Sequence, residues 1–172
     1  MKEHEEFLEV VTKNGEVVKT LPRSEIHGNP SLIHQVVHVL VFNKKGELLL
    51  QKRSMDKDVA PGKWDTSVGG HVNSGETPEE ALSREMEEEL GITGCTPEFL
   101  YTYIHTNLYE TELVYTYSCV YDGEIRSNKE EIDEICPWTL DDIKGNTGKG
   151  ILSDNFEHEF TTYLKRNADS RR

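Results

Sequence analysis

The chain has 172 residues, 35% of them hydrophobic and 30% charged, enough for one soluble domain with its own core. Its formal charge of −13 argues against nucleic acid and anionic membrane surfaces as partners, since both require a basic face. An anionic small molecule would have to be received by metal ions and a few local cations.

The start, MKEHEEFLEV, is acidic rather than basic and then apolar, so no targeting segment is expected. No apolar run approaches the length of a membrane span. Cys95, Cys119 and Cys136 lack metal-binding spacing and are expected as small buried side chains in a reducing cytoplasm. Residues 7–20 read as a β-hairpin turning at Asn14-Gly15. A connector over 21–29 carries a short helical piece after Pro22. A long strand spans 32–42, turns over 43–46 and returns over 47–53. A loop over 54–63 leads to a short strand at 64–68, which runs into Gly69-Gly70.

The spacing predicts a helix over 78–90. Thr77 is its N-cap, Pro78 suits the first position, Glu80 completes a capping box and Gly91 stops it. Residues 98–106 and 112–121 alternate as strands, and 131–138 is a shorter one. A short helix starts at the Thr139 cap, and 145–150 reads as a mobile loop. A last helix over 154–166 puts Phe156, Phe160 and Leu164 on one face, and the tail 167–172 is expected to fray. No repeat or long linker divides the chain. It is therefore one domain over 1–172, with an N-terminal hairpin extension (1–31), a core (32–166) and a tail. Strands interleaved with helices give an α/β layered class.

Residues 70–92, GHVNSGETPEEALSREMEEELGI, carry the chemistry. At about 100° per residue, Glu85, Glu88 and Glu89 fall within one arc of the helix, with Leu82, Met86 and Leu90 in the adjoining arc toward the core. Like charges at this spacing repel by about 0.2–0.5 kcal/mol per pair, and a divalent cation reverses that sign. Carboxylate oxygens suit a hard ion, Mg²⁺ or Mn²⁺. An acidic run alone reads as a solvated helix face. The fixed offsets of Gly70, Glu76, Arg84, Glu85, Met86, Glu88, Glu89, Gly91 and Ile92 set this stretch apart.

With those positions the stretch resembles the Nudix box, complete at every fixed residue. The resemblance implies an α/β/α sandwich with a mixed sheet, here with an N-terminal β-hairpin addition. It also implies a hydrolase that cleaves a diphosphate linked to another moiety. It assigns metal ligation to Glu85, Glu88 and Glu89 with the backbone carbonyl of Gly69, and supporting roles to Glu76 and Arg84. For the general base, Glu85, Glu130, Glu131 and Glu134 are all candidates.

A second likeness extends into the N-terminal addition. GEVVKTLPRSEIH, LIHQVVHVLVFNKKGELLLQKRS and PGKWDTSVGGHV are similar to the metal-dependent isopentenyl diphosphate isomerases, a branch of the same superfamily. That resemblance implies a second divalent metal on His27, His34, His71, Glu110 and Glu112, a donor set suited to Mn, Fe or Zn. It places Arg53 and Lys57 at the substrate diphosphate. His38 matches no ligand position and reads as an ordinary core histidine. The isomerases carry a catalytic Cys where this chain has Gly69, which has no side chain to move a proton. They also place a Trp where this chain reads LSDNFEHEF, and Trp64 and Trp138 read as core residues. An intact box without that Cys points to hydrolysis of a small-molecule diphosphate, such as a nucleoside diphosphate derivative, by a cytoplasmic monomer or homodimer. An isomerase and a non-catalytic binding module are the alternatives.

Overall fold

The structure is a computed structural model that describes residues 4–171; residues 1–3 of the expected extension and residue 172 of the tail lie outside the described residues. Gly15, at φ 84°, closes the hairpin between β1 (Phe7–Val11) and β2 (Val17–Pro22), as its Asn-Gly turn predicts. The hairpin is not a separate appendage. Val10 and Val11 of β1 pair with His34 and Ile33 of β3 (Ile33–Phe42). The short helix α1 (Arg23–Ile26) then seals a small cluster of Leu8, Val10 and Ile26.

Strand β3 organises the mixed sheet. It runs parallel to β8 (Thr111–Val120) along its whole length, from Ile33↔Thr111 to Phe42↔Val120. It runs antiparallel to β6 (Val68–His71), pairing Val36 with His71 and His38 with Gly69. Strand β4 (Leu48–Arg53) follows a tight turn and pairs with β5 (Trp64–Asp65) and β9 (Ile132–Trp138). Strand β7 (Glu98–Thr106) lies outside β8. The single strand expected at 64–68 is thus two, and Gly69 and Gly70 lie inside the second of them.

Alternation along β3 builds two cores. Val37, Val39 and Val41 face α2 (Pro78–Leu90), meeting Leu82, Met86 and Leu90. Leu40 faces the other way, toward Phe156 and Phe160 of α4 (Asp154–Ser170), with α3 (Leu140–Asn146) adding Ile143. Helices therefore cover both faces of the sheet. Trp64 and Trp138 pack edge to face, centroids 5.4 Å apart, against the second cluster. The three cysteines are free and only half-buried, with Cys95 and Cys119 against the first cluster. Among the described residues no helix is long and apolar enough to cross a membrane.

Two further expectations are corrected. The loop expected over 145–150 begins later, because α3 continues through Gly145 to Asn146, with Thr147 as its C-cap. The tail expected from residue 167 is helical through Ser170, since no glycine or proline interrupts the turn after Arg166.

Helix α2 is fixed by its ends. Thr77 and Glu80 form a reciprocal capping box, and Gly91, at φ 66°, returns its amide to Glu87 and Met86. Thr77→Ala is expected to cost about 1 kcal/mol in urea unfolding. An unchanged midpoint would show that the cap does not hold this end.

Candidate active site

The cleft has a volume of about 880 Å³ and opens where β6 leads into the loop before α2. Its wall combines residues from both ends of the chain with the acidic face of α2. Two polar clusters meet there.

The first is built on Gly69, Gly70 and α2. Glu89 is buried, and its carboxylate accepts from the Gly69 amide at 2.9 Å and from Gln51 Nε2 at 3.3 Å. Glu85 packs directly over Gly70, where any Cβ would overlap its carboxylate. Burial pushes the Glu85 carboxyl up to about 7 against the pull of Arg84, and burial together with the neighbouring Glu85 raises Glu89 well above the usual range. Such a pair is stabilised by a cation. Glu88 does not join it: its side chain is 57% exposed, and it lies beside Arg84 at 3.2 Å, outside the cleft lining.

Arg84 fastens this cluster. Its Nε and Nη2 donate to the two oxygens of Glu76 at 2.7 and 3.0 Å, its Nη2 also to the His71 carbonyl at 2.9 Å, and its Nη1 to Glu85 at 2.7 Å. Glu76 in turn accepts from the Asn73 amide. The loop before α2 is thereby tied to the helix through one bidentate guanidinium.

The second cluster gathers His27, His34, His71, Glu110 and Glu112, which the sequence scatters over 86 positions counted inclusively from residue 27 to residue 112. His34 on β3 lies in register with Glu112 on β8. His27 caps α1, and His71 ends β6. His27 Nε2 is 3.2 Å from His71 Nε2 and 3.5 Å from Glu110, and His34 Nε2 lies 3.8 Å from both Glu110 and Glu112. Burial, with His71 beside it, lowers His27 to about 4 and keeps His34 far below the usual imidazole range. Both rings are therefore neutral, with lone pairs free to ligate. Burial raises both carboxyls, Glu110 adding to the effect on Glu112.

Both ring nitrogens of His34 are buried without a hydrogen-bond partner among the described residues. Buried polar atoms of this kind are costly unless satisfied, and a divalent cation would satisfy Nε2. Three imidazoles and two carboxylates fit Mn, Fe or Zn. Glu6 holds His71 from behind, Oε2 to Nδ1 at 3.1 Å, which leaves His71 Nε2 to face the cluster.

The expected cations also line the cleft. Arg53 is held by the Val59 carbonyl at 2.8 Å and Asp65 at 3.5 Å, and Lys57 lies 3.6 Å from Glu131. Of the three late glutamates only Glu131 lines the cleft, while Glu134 pairs with Lys52 on the sheet. In LSDNFEHEF, Asn155 reaches the site and donates to Glu112. Arg23, Glu6 and His38 were not expected in this wall. The signal for His38 is strand alternation, since it shares a face of β3 with His34. Nothing local in the sequence marks Glu6 or Arg23.

Residues 32–156 match the family profile of the NUDIX domain. An uncharacterised Nudix hydrolase of Yersinia pestis is 35% identical over 136 residues, covering 76% of this chain and 71% of that protein. The isopentenyl-diphosphate Delta-isomerase of Streptomyces avermitilis is 29% identical over 164 residues, covering 92% and 81% respectively. The crystal structure of DR0079 from Deinococcus radiodurans is similar with a TM-score of 0.78 at 27% identity, over 91% of this chain and 98% of that one. Other relatives match in part only: the chain spans 45% of a Listeria monocytogenes Nudix hydrolase and 12% of Nudix hydrolase 3 of Arabidopsis thaliana.

Proposed function

The chain belongs to the Nudix family, and from that premise we propose that it is a divalent-metal-dependent hydrolase cleaving a diphosphate linkage, in a nucleoside diphosphate derivative or a related compound. The observation that carries this is one cleft in which half-buried Glu85 and buried Glu89, the His/Glu set and the cations Arg23, Arg53 and Lys57 converge.

Glu85 and Glu89 would hold Mg²⁺ or Mn²⁺, and His27, His34, His71, Glu110 and Glu112 would hold a second divalent ion. Such ions supply charge neutralisation at the phosphate oxygens and a lowered pKa of bound water. The protein's own part is positional. Arg84 and Glu76 keep Glu85 aimed into the cleft, and the Gly69 amide and Gln51 do the same for Glu89. Arg53 and Lys57 orient the diphosphate, so that stabilisation of the developing charge needs little rearrangement.

Gly70→Ala tests this packing. Its methyl group displaces the Glu85 carboxylate, and turnover should fall by about 10²-fold, the scale of a misplacement near 1 Å. Unchanged turnover would show that the Glu85 position is irrelevant to the chemistry.

Isomerisation of isopentenyl diphosphate is the second reading, favoured by the His/Glu set and by the likeness to the Streptomyces enzyme. Against it stands Gly69, where an added Cβ would meet His38 and Thr66 at 3.2 and 3.3 Å. The deciding experiment supplies Mg²⁺ or Mn²⁺ with nucleotide sugars, dinucleoside polyphosphates, nucleoside triphosphates and isopentenyl diphosphate. Cleavage at a phosphoanhydride is the expected result. Allylic product without phosphate release would replace hydrolysis by isomerisation, and ligand retention without turnover would leave a binding module.

A further inference from the structure

His38 in the cleft wall and the buried Glu159 behind it have no part in the mechanism so far. His38 stands opposite Gly69 in the β3–β6 register. A Cβ on Gly69 would lie 3.2 Å from His38 Cδ2 and 3.4 Å from its Nε2. The edge of the imidazole therefore borders the space that a side chain at position 69 would enter.

The other edge of the ring is anchored. Nδ1 lies 3.3 Å from Glu159 Oε1. Glu159 is 0% exposed on α4, between Phe156 and Phe160 on the face that builds the core. Packing alone would favour an apolar residue there, because an enclosed carboxylate is costly without donors. Glu159 has them. Tyr101 Oη donates at 2.8 Å, and Thr116 Oγ1 lies 2.9 and 3.2 Å from its two oxygens. Among the described residues no lysine or arginine pairs with it.

A carboxylate beside Nδ1 selects the tautomer with the proton on Nδ1. The lone pair is then on Nε2, which makes no hydrogen bond within the described residues. The other candidates for the base that line the cleft are engaged: Glu85 by Arg84 at 2.7 Å and Glu131 by Lys57 at 3.6 Å. Tyr103 Oη lies 3.5 Å from His38 Nδ1 and donates to Asn155, which donates to Glu112. The pair is thus tied to the His/Glu set.

We propose that His38 is the catalytic base of the hydrolysis and that Glu159 is its positioning residue. As a water oxygen bonds to phosphorus, His38 Nε2 takes one of its protons. The bridging P–O bond of the anhydride breaks, and its electron pair leaves with the departing phosphate oxygen. This role rests on the hydrolase reading.

The test uses His38→Gln and Glu159→Gln with whichever diphosphate the wild type cleaves. His38→Gln should lower kcat by about 10²–10⁴-fold, with KM and bound metal unchanged. Glu159→Gln should lower kcat less and shift the His38 ring nitrogens, followed by ¹⁵N NMR, away from the Nδ1–H tautomer. A purely structural pair would alter stability without that kcat-against-KM split. A His38→Gln kcat within about threefold of wild type, or a wild-type His38 protonated on Nε2 alone, overturns the proposal. Should His38→Gln fail to fold, the tautomer and the Glu159→Gln kinetics decide it. A wild type that cleaves nothing removes the hydrolase reading and this role with it, whereas an active wild type with an equally active His38→Gln removes this role alone.

Discussion

Glu89→Gln is expected to lower turnover by about 10³-fold, the scale for losing one preorganised electrostatic contact in a closed site, without loss of stability in the metal-free protein. The two halves have one cause. Glu89 is enclosed beside Glu85, and without a cation each disfavours ionisation of the other. Raised carboxyl pKa values act on folding with a definite sign. Their stabilising contribution is complete below the ordinary carboxylate range and is lost as pH rises through the folded-state value. For Glu85 the window runs from about 4.5 to about 7, and the loss is on the order of 3 kcal/mol. Glu89 adds a loss of the same sign. His27 and His34, whose pKa values are lowered in the fold, act with the opposite sign over the same range but are common to both proteins. Metal-free wild type should therefore lose melting temperature relative to Glu89→Gln as pH rises through this window. Saturating Mg²⁺ should offset this relative loss in wild type, since a ligand at a hundredfold its Kd stabilises by about 2.7 kcal/mol. Thermal melts from pH 4 to pH 8, with chelator and with Mg²⁺, measure all of this. Equal turnover in the two proteins, or melting temperatures in chelator that run parallel with pH, would remove Glu89 from the site.

Much of this arrangement was legible before the structure, and the residues show why. Thr77, Pro78, Glu80 and Gly91 act within one helix, so their spacing alone predicts the bounds of α2. Asn14-Gly15 likewise acts within one turn. The carboxylates of α2 were harder. Periodicity puts Glu85, Glu88 and Glu89 in one arc, but which part of the arc meets the sheet depends on how Leu82, Met86 and Leu90 seat against Val37 and Val39. That seating turns Glu85 and Glu89 inward and leaves Glu88 to Arg84 at the surface. Long-range partners were less legible still. Glu6, Arg23 and Glu159 reach the site only because β1 pairs with β3 and α4 lies across the opposite face. A glutamate between Phe156 and Phe160 is a charge on an apolar helix face, and that local conflict was the one sign of its role.

His34→Ala is expected to remove about one equivalent of divalent metal from the native protein while leaving Mg²⁺ binding at Glu85 and Glu89. His34 is 0% exposed, lies in register with Glu112 and has no hydrogen-bond partner for either ring nitrogen among the described residues. In the metal-free protein its loss exchanges two unsatisfied polar atoms for a small cavity, opposing terms that leave stability little changed. In the loaded protein it removes the imidazole that stands 3.8 Å from both Glu110 and Glu112, so those two buried carboxylates would share the ion with His27 and His71 alone. Outer-shell partners of metal sites are already worth 10- to 100-fold in affinity, so a direct ligand should cost about 100-fold or more. Elemental analysis of both proteins after exposure to Mn²⁺ or Zn²⁺ reads the equivalent directly, and melting temperatures with and without chelator read the linkage. The wild type should show the larger chelator effect. Identical metal content and identical chelator effects in the two proteins would mean that this His/Glu set holds no ion, and its buried, unpaired nitrogens would then need another account.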